Sequence, residues 1–103
     1  MTLGELIEYL EGCPDQNYVC PLGLGQPHSW GGAYTDLSFT PTENITVAEM
    51  LNNAHSALDK EFEGGTYFMD EFTKVNMDRY GEYRNGPVTK ILLDYMTGKH
   101  DKR

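Results

Sequence analysis

Basic side chains are nearly missing from the first 73 residues, where Lys60 stands alone against twelve acids for a formal charge of −11. A surface of that sign repels phosphates, so no nucleic acid partner is expected. Long apolar runs are missing too. Nothing approaches the roughly 20 apolar residues that cross a bilayer as a helix. The opening MTLGELIEYLEG has neither the basic start nor the continuous apolar stretch of a signal peptide. No membrane partner is expected, and the cytoplasm is the expected location. Cysteine is scarce: Cys13 and Cys20 do not form a CxxC pair and have no second pair to complete a zinc site. Two reduced, buried thiols and no bound metal are the expectation. Phosphate-loop motifs are incomplete, because Gly23-Leu24-Gly25 is followed neither by a third glycine at dinucleotide spacing nor by a P-loop lysine.

What is present begins with a change of charge. Residues 74–103 carry four acids and seven bases, giving +3 within a net charge of −8. Arg79, Arg84 and Lys90, with Lys74 behind them, are the cations available to an anionic ligand. Solvation of a small acidic domain is the alternative reading.

The 103 residues suit one domain. Thr2 and Glu5 have capping-box spacing, and Leu3, Leu6, Ile7 and Leu10 follow at helical intervals, predicting a helix over Leu3–Glu11 ended by Gly12 and Pro14. Asn17 to Leu22 reads as a short strand that enters a glycine-rich loop. From Ala33 the alternation of Ala33, Thr35, Leu37 and Phe39 against Tyr34, Asp36 and Ser38 predicts a half-buried strand. Thr46 and Glu49 repeat the capping box, and Val47, Met50, Leu51, Ala54, Leu58 and Phe62 mark a helix stopped by Gly64-Gly65. Thr66–Phe72 and Thr73–Met77 read as strands with a tight connection. Asn85-Gly86 reads as a turn, Pro87 as a first helical position, and Val88, Ile91, Leu92 and Tyr95 as the last helical stripe. The expected class is α+β, a small antiparallel sheet packed with three amphipathic helices, in a single domain over 1–98 with a polar tail over 99–103.

Side chains with chemistry gather around the glycine-rich stretch PLGLGQPHSWGG. His28 has little packing reason to stand in a loop, and Trp30 is either an anchor for that loop or a platform for a planar ligand. Tyr34 and the segment Tyr80-Gly81-Glu82-Tyr83-Arg84 add ring faces and a guanidinium, groups that stack on a base and meet a phosphate. The equal alternative is that these tyrosines cover strand edges. The repeated dipeptides His28-Ser29 and His55-Ser56 do not match two-histidine phosphodiesterases, because Trp30 and Ala57 stand where a hydroxyl belongs. His55 is expected at a helix boundary. Met50, Met69, Met77 and Met96 are expected as core filler. Without a nucleophile beside a base and an orienting group, the chain is not expected to be an enzyme, and no cofactor is expected.

Taken together, PLGLGQPHSW, GGAYTDLSFTP, NITVAEML and GGTYFMDEF resemble a family of small, mostly uncharacterised bacteriophage proteins across nearly the whole chain. That resemblance implies expression in the cytoplasm of an infected bacterium. It also implies a relation in role to oligomeric phage sponges that sequester nucleotide immune signals, such as cyclic ADP-ribose isomers or cyclic dinucleotides, without cleaving them. The expected ligand site comprises His28, Ser29, Trp30, Tyr34, Arg79, Tyr83 and Arg84 in a homo-oligomer. The competing expectation is an acidic inhibitor that imitates DNA and binds a host defence nuclease or regulator.

Overall fold

Thr2 and Glu5 close the first helix at its start. The Thr2 hydroxyl accepts from the Glu5 N–H at 3.3 Å, and Glu5 Oε1 accepts from the Thr2 N–H at 2.9 Å. Losing such a cap costs ~1 kcal/mol. Helix α1 then runs Leu3–Glu11 as the periodicity predicts, burying Leu3, Leu6, Ile7 and Leu10. The computed structural model describes residues 1–30, 33–58, 61–62, 67–78 and 86–98, so the predicted Asn85 turn position and the tail over 99–103 lie outside the described residues.

The glycine-rich stretch forms a strand rather than a loop up to Trp30, and Gly31-Gly32 lie outside the described residues. Strand β1 spans Val19–Trp30 and pairs antiparallel with β2, Ala33–Thr46. Gly23 and Gly25 serve close packing against β2 and, for Gly23, against Met50 of the following helix. A Cβ on Gly23 would fall 2.7 Å from Ile45 Cγ2 and 2.8 Å from Met50 Sδ. Gly25 belongs to a bulge in which Gly25 and Gln26 oppose Thr40 alone, since Leu24 pairs with Pro41 and Pro27 with Phe39. Asn44 sits at φ 56°, a left-handed conformation that asparagine tolerates better than most side chains.

Helix α2, Val47–Ala57, starts with the second capping box and packs on α1 and β1 through Val47, Met50, Ala54 and Ala57. The predicted stripe to Phe62 overshoots. Leu58 turns extended at ψ 129° and packs against the core, while Phe62 falls in β3, Glu61–Phe62, which pairs with β4, Tyr67–Phe68. Of the predicted strand Thr66–Phe72, Thr66 lies outside the described residues and Tyr67–Phe68 form β4, while the Asp70 carboxylate accepts the Phe72 N–H and folds residues 70–73 into a turn.

Strand β5, Val75–Met77, pairs with β2 and with β6, Gly86–Pro87, giving the order β1-β2-β5-β6. The protein is α+β, as expected, but the sheet is mixed: β2 and β5 run parallel, Leu37 opposite Val75 and Phe39 opposite Met77. The link from β2 to β5 contains α2, which gives it the length that a parallel return requires. Pro87 therefore lies in β6, and Thr89 caps helix α3, Lys90–Met96. The helix buries Leu93 and Met96, leaving Ile91 81% and Tyr95 66% exposed. The predicted stripe had the wrong phase because Val88 precedes the helix. Met50, Met69, Met77 and Met96 are all buried, as are the free thiols Cys13 and Cys20.

Candidate functional site

Successive side chains of a strand point to opposite faces of the sheet. His28 pairs with Ser38, Ser38 pairs with Asn76, and Asp78 lies two residues beyond Asn76. These four polar residues share one face. Ser29, Leu37, Phe39, Val75 and Met77 belong to the other face, and all five are buried. His28 and Ser29 were expected to act together, yet they point opposite ways. Ser29 is 4% exposed, and its hydroxyl has no hydrogen-bond partner among the described residues.

Asp78 is the hub of the polar face. Its Oδ2 lies 2.7 Å from His28 Nε2, and its Oδ1 accepts the Ser38 hydroxyl at 2.5 Å. The Asp78 N–H donates to the Phe39 carbonyl at 3.1 Å, and Asn76 Nδ2 donates to the Leu37 carbonyl at 3.2 Å. Ser38 is fully buried, so the predicted half-buried strand is covered on both faces at this point. His28 and Asp78 remain open to solvent, with side chains 41% and 33% exposed.

The order of contacts limits the chemistry. His28 Nδ1 lies 2.9 Å from the Ser29 carbonyl, which can only accept, so Nδ1 donates there. The imidazolium form donates to both the carbonyl and the Asp78 carboxylate. In a nucleophilic triad the imidazole stands between hydroxyl and acid. Here the acid stands between hydroxyl and imidazole, which leaves Ser38 without an imidazole to take its proton and both His28 nitrogens engaged. Such an arrangement holds and orients a half-exposed ring edge.

The backbone brings Trp30 and Tyr34 to the same end of the sheet, with Trp30 opposite Ala33 just beyond the His28–Ser38 pair. Arg79, Tyr83 and Arg84 lie outside the described residues, although Arg79 directly follows Asp78 in the chain. His55 pairs with Glu11 at 3.4 Å, each about half exposed, which suits the boundary position expected for it. The two histidine dipeptides thus engage separate acids. Sequence reasoning missed Ser38, Asn76 and Asp78. Only Ser38 left a signal, its place on the polar side of the predicted strand. Among the described residues, no three His, Cys, Asp or Glu side chains converge as metal ligands. Compared with protein-family models, curated proteins and solved structures, the chain matches none.

Proposed function

We propose that this is a phage anti-defence binding protein that captures a small nucleotide immune signal, of the cyclic ADP-ribose or cyclic dinucleotide type, in the cytoplasm of an infected bacterium. One observation carries the reading: the His28–Asp78 pair ties the end of β1, two residues before Trp30, to the residue that precedes Arg79. Trp30 and Arg79 thus each lie within two residues of the tied pair along the chain, although β1 and β5 run in opposite directions, and a ring and a guanidinium are the pairing that a base and a phosphate require. Capture without cleavage accords with a histidine whose nitrogens are both engaged and a serine bonded to a carboxylate. The polar face is open beside His28 and Asp78, and a homo-oligomer belongs to this reading because a pocket that buries a nucleotide is easier to build between subunits.

The test is to incubate the protein with a panel of cyclic nucleotides and ADP-ribose derivatives, isolate the complex by gel filtration, denature it, and identify what is released by mass spectrometry. An intact nucleotide supports capture. Cleaved product supports a phosphodiesterase, and an empty protein across the panel removes the reading.

A second reading rests on the exposed acids Glu5, Glu8, Glu11, Asp15, Glu43, Glu49, Asp70 and Glu71. These accord with a DNA-mimicking inhibitor of a host defence protein, with association falling as salt rises. A host protein retained from lysate at low salt and lost at high salt, with no nucleotide bound, favours it.

A further inference from the structure

A cavity of about 500 Å³ lies between α1 and the start of α3, lined by Met1, Glu5, Glu8, Tyr9, Thr89 and Lys90. Its size is in the range that holds small ligands. The cavity already contains one cation from the protein itself. The Lys90 ammonium sits 5.6 Å from the centre of the Tyr9 ring and 2.9 Å from Asp94 Oδ2. Asp94 also accepts the Tyr9 hydroxyl, which fixes the ring. Burial, reinforced by that bond, pushes the Tyr9 phenol up to about 12, so the ring stays neutral. An aromatic face backed by a carboxylate is a seat for an alkylammonium group. Lys90 fills it on a side chain 70% exposed, a tether easily withdrawn into water.

Glu5 and Glu8 extend the seat along α1. They lie three residues apart on one helix and therefore on neighbouring positions of one face. Among the described residues, Glu5, whose Oε1 also accepts the Thr2 N–H, Glu8 and the Asp94 carboxylate beyond the ring are three acids set against the Lys90 ammonium and the amino group of Met1. An anion is repelled here, and a monovalent amine would use one end only. We infer that this cavity binds an aliphatic polyamine, one ammonium group displacing Lys90 from the Tyr9–Asp94 seat and another meeting Glu5 and Glu8. The site is separate from the His28–Asp78 face.

Spermidine is the probe, titrated calorimetrically at physiological salt into the natural chain and into Lys90→Ala, Lys74→Ala and Glu8→Gln. Lys74 is an exposed lysine outside the cavity lining, so Lys74→Ala removes the same charge without vacating the seat. Lys90→Ala should tighten binding about two- to fivefold, the range of a surface cation–π contact. Lys74→Ala should change it by less, and Glu8→Gln should weaken it. Equal gains from the two lysine variants, no loss from Glu8→Gln, or no saturable heat with both the natural chain and Lys90→Ala would overturn the inference.

Discussion

Gly25 of β1 stands so close to Thr42 of β2 that a Cβ on the glycine would lie 1.9 Å from the Thr42 hydroxyl oxygen and 2.7 Å from the Thr40 carbonyl oxygen. The threonine side chain can rotate away, but the carbonyl belongs to the backbone. Gly25→Ala should therefore cost roughly 1–3 kcal/mol as an overpacked site, read as a lower urea midpoint. A glycine kept for a ligand would instead give an unchanged midpoint.

Asp78 serves three partners at once, His28, Ser38 and the Phe39 carbonyl, the last through its backbone. Asp78→Ala removes the two side-chain bonds and leaves the buried Ser38 hydroxyl without its acceptor, a loss of roughly 2–4 kcal/mol. His28→Ala removes a partly exposed contact with Asp78 and the bond to the Ser29 carbonyl, and about 1 kcal/mol or less is expected. Urea denaturation of both variants tests the order. A larger loss for His28→Ala would remove Asp78 from the centre of the polar face.

Alkali should weaken the fold through Cys20 and Tyr9. Burial pushes the Cys20 thiol from 9.0 to about 11, and burial with the Asp94 bond pushes Tyr9 from 10.0 to about 12. In each case the unfolded chain loses the proton first. Between the ordinary and the raised value the folded state holds more protons, so stability falls as pH rises. These contributions are intact below pH 9 and are lost between about 9 and 12. Urea midpoints across that interval should decline, and more gently in Tyr9→Phe. A flat profile, or an identical slope in Tyr9→Phe, would contradict the assignment.

Local signals in the sequence were reliable where local physics decides. The caps at Thr2 and Thr46 and the stripe of α1 lie within single helices, and each is observed as spaced. Glycine misled the reading of β1 because its common use in turns concealed its use against Ile45, Met50 and Thr42. The α3 stripe failed because Val88 is buried before the helix begins, so it cannot set the helical phase. The polar face was illegible for a different reason. His28 meets Ser38 across the antiparallel β1–β2 pair, and Asp78 reaches them through the parallel pairing of β5 with β2, which no spacing along the chain encodes.

Trp30 offers the most direct measurement. Calorimetric titration of the nucleotide that the panel identifies, into the natural chain and into Trp30→Ala with melting temperatures taken alongside, separates a stacking platform from a structural anchor. The account predicts that Trp30→Ala loses about 1–3 kcal/mol of binding, as when a base loses its ring partner, with little change in melting temperature. Unchanged affinity together with a fold destabilised by about 3–5 kcal/mol, as when a buried aromatic is removed, would contradict it.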